Sequence, residues 1–557
     1  FSKKSYAFET WNEDGQDRSV PLLDLPPESD WVLYAPYIDK TLLRNYLSYL
    51  WFDQMGQQSV RTRFVEFFLN TTASPTFSMD AYEGIYVLIE RIKRDENRID
   101  VARLSPSDNS EPEISGGYIL KFDRLDPGDS GLGRQQGDAF LAAVYPDEED
   151  LTPQQVSWIT GHLNDFDTVL YGPDFTNAIP GYAGYIDVDS FIDYDIHVQM
   201  VKHNDAIRHS TYFFKDRSGK LTMGPIWDKD AAMGTIQWVT FPGFSPLNWW
   251  NGGGFSDSRY AWWERMFEDP DYTQRWVDRW HELKNDVFSK EKMMADIADA
   301  TNLLDEAQVR NFQRWPVLGA HILSEPPGWR DRDTYPEEVS FMTNWIDTRH
   351  DWIYDHFFSA PEFSQLGGSI DSGFELTITS ASNTIFYTLD GSDPRAPGGL
   401  PSGTQYTMPV TLTENTLVKA RTWDGSAWTT PLTKPPPAAN LHWSGLTEAI
   451  FFVTPPEFAI TEIMVAPREP AGGSETNYTA SDFEFIEMKN IGASAASLLG
   501  FEFTDGVIFD PTHGNVTNVD IGDYVLVVNN LAAFTNRHSN WAAMNIAGEF
   551  TGDLDNN

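Results

Sequence analysis

At 557 residues the chain has room for about three or four ordinary domains. Its 41% hydrophobic content, with 20 Trp and 36 Phe, supplies substantial cores and excludes a disordered tether. The 82 acidic against 40 basic residues give a formal net charge of −42, a surface that repels nucleic acid and anionic lipid headgroups while favouring solubility, salt tolerance and divalent cations.

The chain has no cysteine, which excludes disulfides, thiolate zinc sites and cysteine nucleophiles. It has no run of roughly 18 apolar residues, so no membrane-spanning helix is expected. It opens at Phe1 without Met and closes on the polar run GDLDNN. Both ends read as cut, with any targeting segment or anchor expected outside them.

Along the chain, Asp39–Gln57 carries Leu42, Leu43, Tyr46, Leu47, Leu50 and Trp51 at helical spacing. Arg63–Leu69, Gly84–Ile92 and Gly117–Phe122 read as strands. Helical patterns return at Pro153–Asp167 and at Asp187–Lys202, the second capped by Asp187 or Asp189. Next, in His203–Gly234, Asp205 falls on a short loop, a β-hairpin follows, and Asp228 and Asp230 come just after Ile226-Trp227. Tyr260–Phe358 reads as Trp-rich helix, and Ala360-Pro361 marks a change of composition.

Beyond it, Phe374–Thr379, Thr384–Leu389 and Thr416–Thr422, with the turn Asp390-Gly391, predict a small β-sandwich. Lys434–Pro437 reads as a linker or strand edge. A third unit starts near Glu457 with strands at Phe458–Met464, Phe483–Met488, Phe501–Phe503 and Tyr524–Val528. No solenoid-like repeat is present. The expected fold is multidomain: an α+β domain at residues 1–358, followed by all-β immunoglobulin-like sandwiches at 361–454 and 457–557.

The His203–Gly234 stretch has the order of parts that kinase-type phosphoryl transfer requires. One carboxylate orients the acceptor hydroxyl, a polar side chain five residues on reaches a metal, and a carboxylate beyond a hairpin holds Mg²⁺ against the phosphates. Here the five-residue step from Asp205 lands on Ser210, where protein kinases carry Asn.

Five blocks in order, SKKSYAF, DWVLYAPYIDKTLLRNYLSY, TRFVEFFLN with EGIYVLIERIKR, SGGYILKFDR and YFFKDRSGKLTMGPIWDKDAAMG, resemble the CotH family of spore-coat-protein-H-like atypical kinases. The resemblance implies a protein-kinase-like fold that uses ATP with Mg²⁺ or Mn²⁺ and phosphorylates secreted proteins. By the same resemblance Asp205 is the catalytic acid that takes the acceptor proton, and Asp228 binds metal with Asp230 and Ser210 beside it. The lysine for the nucleotide phosphates is Lys3 or Lys4, with Glu90 as its partner. Lys93, Arg94 and Lys121 are rivals. Arg44 and Asn45 are read as a helix surface paired with Asp39.

IFYTLDGSDPR followed by LVKARTWDGSAWT resembles the chitobiase/hexosaminidase C-terminal type of β-sandwich. Asp390, Ser392 and Asp393 there suit turn chemistry better than Ca²⁺. FAITEIMVAP, FEFIEMKNIG, FEFTDGVIF and GDYVLVVNN resemble a lamin-tail domain, expected to be incomplete at its C-terminal end.

Other chemistries find little footing. His203 and His209 lack a third ligand for zinc, and no P-loop, GxGxxG or GxSxG occurs. Trp249, Trp250, Trp262 and Trp263 suit core packing more than sugar stacking. The Gly-rich segment Asn248–Phe255 reads as a flexible loop near the site. The functional expectation is a secreted or cell-surface bacterial protein kinase acting on an extracellular or envelope protein. The alternatives are a surface structural or adhesive protein that has lost catalysis, and a polysaccharide-processing accessory.

Overall fold

The computed structural model describes residues 1–557 except 72–77, 126–128, 137–138, 178–180, 204, 236–244, 250–260, 324, 382, 427, 429–440, 454–456, 472–474, 476–477, 499–500, 502, 504–506, 510–515, 517, 539, 553 and 555–557. The chain packs as two units, one containing Phe1–Phe357 and the other Phe358–Ala427 with His442–Asn557. The predicted linker at Lys434–Pro437 lies outside the described residues.

In the first unit, strands β1 (Tyr6–Glu9), β2 (Val20–Leu22), β3 (Leu25–Glu28), β4 (Asp30–Tyr34), β5 (Thr62–Phe68) and β6 (Tyr82–Glu90) come first, interrupted by helix α1 (Arg44–Gln54). An antiparallel sheet runs β1-β4-β6-β5, and β2 and β3 form a separate hairpin. β6 is buried along almost its whole length, as its apolar run YEGIYVLIE requires of a central strand.

α1 begins later than the apolar period suggests. Leu42 takes a left-handed backbone (φ 64°), which breaks helical continuity. The Asp39 carboxylate instead accepts the N–H groups of Thr41 (3.0 Å) and Arg44 (2.8 Å), so the helix starts only at Arg44.

The chain continues with β7 (Tyr118–Asp123), β8 (Gln135–Gln136), β9 (Ala139–Tyr145), α2 (Pro153–Leu170), α3 (Val188–Val201), β10 (Thr211–Lys215) and β11 (Leu221–Ile226). These strands form a second sheet in the order β11-β10-β7-β9-β8. α2 opens with a capping box: Thr152 accepts the Gln155 N–H, and the Gln155 side chain accepts the Thr152 N–H in return. α3 opens on Asp187, which accepts the Asp189 N–H, and every residue of the helix except Asp189 is buried.

Helices α4 (Ala261–Met266), α5 (Pro270–Leu283), α6 (Lys290–Leu303), α7 (Asp305–Arg314) and α8 (Tyr335–Tyr354) complete the unit. The tryptophans go into packing. Trp262 and Trp263 are buried, with indole N–H groups donated to Asp167 and to the Phe191 carbonyl. Trp249 packs edge-on against Trp276 and Trp352. Residues 250–255 of the Gly-rich segment, Trp250 among them, lie outside the described residues.

The second unit is built mainly of strands. A five-stranded sheet joins Gly368–Ser369, Thr447–Phe452, Thr416–Trp423, Thr384–Thr388 and Thr404–Gln405, with Leu376, Ile378, Val418 and Phe451 in its core. The Asp390 turn closes on itself through Ser392, while Asp393 receives two 2.8 Å bonds from Arg421. A four-stranded sheet follows, in the order Phe458–Met464, Phe485–Asn490, Tyr524–Val528 and Ile546–Glu549. Among the elements the sequence reading missed here are the strands Thr404–Gln405, Val410–Leu412, Thr447–Phe452 and Ile546–Glu549 and the short helix Leu531–Arg537, whose start Asn530 caps. The expected strand Phe501–Phe503 lies partly outside the described residues. The protein is thus multidomain, an α+β region followed by a β-rich region of several sheets.

Candidate active site

The site grows out of the register of three neighbouring strands. Thr211 at the start of β10 stands opposite Phe122 of β7 on one side and Ile226 of β11 on the other. Just beyond that row, the strands deliver polar groups at the same end of the sheet: Asp123 from β7 and Ser210 from β10 one residue on, and Asp228 from β11 two residues on, after Trp227. His209 Nδ1 lies 3.6 Å from Asp123 Oδ1. Asp205 is carried to this end by the turn after α3, its carbonyl accepting the N–H groups of Arg208 (3.0 Å) and His209 (2.8 Å).

The backbone is unusual here. Of the ten described non-glycine residues with positive φ, six lie between Lys202 and Met233, among them Ser210 (52°) and Asp228 (53°). Such conformations cost on the order of 1–3 kcal/mol each and gather where side chains must be aimed rather than merely packed.

Electrostatics ties the acids together. Asp228 is open to solvent but crowded by protein on its other sides. That crowding raises its carboxyl to about 6; Lys229 opposes the shift and the carboxylates of Asp205 and Asp123 add to it. Asp230 is pushed well above the carboxylate range by burial and by Asp228, against a 2.7 Å hydrogen bond donated by the Tyr34 hydroxyl. Lys229, between the two, is fully buried, and desolvation lowers it to about 8 despite its acidic neighbours.

Helix α1 holds the motif from behind. The Asn45 side chain accepts the Lys229 N–H, and Tyr49 Oη stands 3.1 Å from the Asp228 nitrogen, which donates to it. Arg44 donates to the carbonyls of Ala232 (3.0 Å) and Met233 (3.3 Å) while pairing with Asp39 at 2.5 Å. The Asp39–Arg44 pair expected at a helix surface is therefore present but buried, with Arg44 2% and Asp39 1% exposed.

A cleft of about 860 Å³ opens beside these acids, lined by Val32, Ile92, Lys121, Ala143, Tyr212 and Trp227 among others. Of the predicted nucleotide-binding residues, Lys121 lines this cleft, opposite Tyr212 in the β7–β10 register. Lys4 is exposed. Glu90 is buried against Arg61 (2.7 Å) and Arg98 (2.6 Å), so guanidinium groups neutralise it where a lysine was expected. Lys3 is buried in a different place, donating to Asn311 Oδ1 at 2.9 Å and to the Ile85 carbonyl, and burial lowers it to about 7. Lys93 bridges Glu28 and Asp30, and Arg94 donates to the Val101 carbonyl.

The structure thus groups Asp205, Asp228 and Asp230, sets Ser210 at the same sheet end and Lys121 in the adjoining cleft, and leaves Lys4 and Glu90 apart. Sequence reasoning missed Asp123, Tyr34, Tyr49 and Lys229. Only Asp123 left a signal, as the acid that ends the strand carrying Lys121.

These donors are oxygen atoms on crowded carboxylates, which suits a hard divalent cation. Among the described residues no group of three or more His, Cys, Asp or Glu side chains is close-set enough to cage an ion. Among the described residues, no helix is long and apolar enough to cross a membrane.

The family model described as CotH kinase protein matches residues 1–353, and the one described as Fn3 associated matches residues 374–433. The second match falls where the sequence resembles a chitobiase-type sandwich. No curated protein matches the chain. The first match spans well over half of the sequence and includes the three acids, the α1 clamp and the cleft; the chain belongs to the CotH kinase protein family.

Proposed function

We propose that the protein is a secreted or cell-surface kinase that transfers the γ-phosphoryl group of ATP to hydroxyl groups of extracellular or envelope proteins. The observation that carries this reading is the placing of Asp123, Ser210 and Asp228 at one end of the β7-β10-β11 sheet, where the nearby Asp205 carboxylate helps raise Asp228, next to a cleft reached by Lys121. In the proposed reaction the acceptor oxygen bonds to the γ-phosphorus as the bond to the bridging oxygen breaks, and ADP leaves. The acceptor proton passes to Asp205, which orients the hydroxyl. Asp228, with Asp230 and Ser210, holds Mg²⁺ or Mn²⁺. A bound cation there supplies charge neutralisation for the phosphate oxygens. Lys121 faces the nucleotide phosphates.

In this reading the domain spans residues 1–358, and the sandwiches at 361–454 and 457–557, the latter of lamin-tail type, serve as spacers or attachment modules. Two observations favour a second reading, a kinase fold retained as a surface scaffold: Glu90 is engaged by two arginines, and Ser210 stands where protein kinases carry Asn.

Thermal stabilisation by ATP with Mg²⁺ or Mn²⁺ separates the two. The kinase reading expects stabilisation that Asp228→Ala abolishes, together with autophosphorylation that Asp205→Ala abolishes. An identical response of wild type and Asp228→Ala to nucleotide and metal removes the site assignment.

A further inference from the structure

α3 closes on Lys202, whose backbone is left-handed (φ 47°, ψ 58°) and whose N–H donates to the Val198 carbonyl at 2.8 Å. Helices commonly end on such a residue, usually Gly, which adopts that backbone without steric cost. Lys202 adopts it and buries its side chain as well, to 1% exposure. Its Nζ donates to the Ser245 carbonyl at 2.7 Å and to Asn248 Oδ1. Burial lowers Lys202 to about 6, so near neutral pH these contacts are hydrogen bonds from an amine rather than ion pairs. Arg349 of α8 grips the same segment. It is fully buried and donates through Nη1 to the carbonyls of Pro246 (2.9 Å) and Asn248 (2.6 Å), and through Nε to the Gln199 carbonyl (2.9 Å) in the last turn of α3. Its guanidinium carbon also lies 5.7 Å from the ring centroid of Trp249 and 4.8 Å from that of Trp352.

Segment 245–249 is thereby fastened to the end of α3, where the turn toward Asp205 begins. Asp205 follows three residues after Lys202, and His203 between them is buried. The Val201 carbonyl accepts the Met233 N–H at 2.7 Å, so the helix end is braced on its other side by the chain leaving the Asp228 motif. That motif has its own hold on α1 through Arg44, Asn45 and Tyr49, whereas the Asp205 turn hangs from α3. A Gly at position 202 would end the helix more cheaply but could not reach Ser245 or Asn248. We infer that Lys202 is a positioning residue: with Arg349 it ties segment 245–249 to the end of α3 and so fixes the turn that presents Asp205 to the acceptor hydroxyl. The inference rests on the kinase reading of Asp205. It assigns the acceptor arm of the site to α3 and α8, apart from the cleft lined by Lys121, Tyr212 and Trp227.

The test follows phosphoryl transfer from ATP with Mg²⁺ by the full chain, to itself and to casein, with ATP varied. Lys202→Gly removes the side chain while suiting the left-handed backbone, so a residue that merely ends the helix is replaced without loss. The expected result is a kcat lower by about ten- to a hundredfold, as for a catalytic group displaced by ~1 Å. The half-saturating ATP concentration is expected to stay within about twofold of wild type. Should Lys202→Gly fail to fold, Asn248→Ala, which removes the Oδ1 acceptor from a half-buried residue, gives the same split. A kcat within about twofold of wild type overturns the inference, as does a loss expressed in the half-saturating ATP concentration. A wild-type chain that transfers no phosphoryl group to either acceptor overturns the kinase reading itself, and the inference with it.

Discussion

Tyr34 and Asp230 are joined by a 2.7 Å hydrogen bond that links the last residue of β4 to the acidic motif after β11. The bond connects the two sheets of the first unit at the candidate centre. It is also the main influence drawing Asp230 back toward its ionised form.

Tyr34→Phe removes that influence, so Asp230 holds its proton more tightly. A hydrogen bond to a charged group contributes about 1.5–3 kcal/mol, so Mg²⁺ affinity is expected to fall roughly tenfold or more near neutral pH. The deficit shrinks as pH rises and Asp230 ionises by mass action. Calorimetric Mg²⁺ titrations of both proteins at pH ~7 and ~8.5 check the sign of this trend.

Asp228 makes a separate prediction for the metal-free protein. Its carboxyl is raised to about 6, so the folded state binds its proton more tightly than the unfolded state does. Ionising it therefore lowers stability as pH climbs from ~4, the ordinary carboxyl value, through the folded-state value, with no further change above it. Asp228→Asn has no such loss. The melting temperature of the variant relative to wild type, in chelator, is expected to rise across this window and then level off. A difference that is flat with pH contradicts the assignment.

Arg44 serves two buried partners at once, the Asp39 carboxylate and the carbonyls of Ala232 and Met233. Arg44→Met leaves Asp39 as a buried charge without its cation, which costs about 3–5 kcal/mol. Arg44→Lys restores the charge without the planar fork and is expected to recover part of the loss. Urea unfolding curves of the three proteins measure it.

Asn311 of α7 is a structural counterpart, accepting from the Lys3 ammonium (2.9 Å) and from the Ile85 N–H (3.0 Å). Asn311→Leu takes this acceptor from both donors, leaving Lys3 only the Ile85 carbonyl, and is expected to destabilise by about 1–3 kcal/mol. Adding Lys3→Met removes one of those donors, so the double variant is expected to be more stable than the sum of the single effects. A double-mutant cycle reads that coupling directly.

Much of this was legible in the sequence wherever the determining contacts were local. The hairpin between Asp205 and Asp228 followed from alternation and turn residues, and the start of α3 from Asp187. What escaped depends on partners far away in the chain. Asp123 joins the site only through the pairing of Phe122 with Thr211. Tyr34 does so across 196 residues. Glu90 had the burial of a functional acid, but whether it held a lysine or an arginine depended on where Arg61 and Arg98 arrived. The late start of α1 came from the left-handed turn at Leu42, a conformation that the apolar period does not encode.

The clamp from α1 means that the WDKD tetrapeptide is not a portable cassette. Asp228 and Met233 hold left-handed backbones that their own sequence does not favour, and the contacts that support them come from Arg44, Asn45 and Tyr49. Grafting the four residues onto another hairpin would carry over the carboxylates without the mould that aims them. A homologue that keeps the motif but loses the clamp would still look intact by pattern, yet the backbone of Asp228 and Lys229 would lose the contacts that fix it.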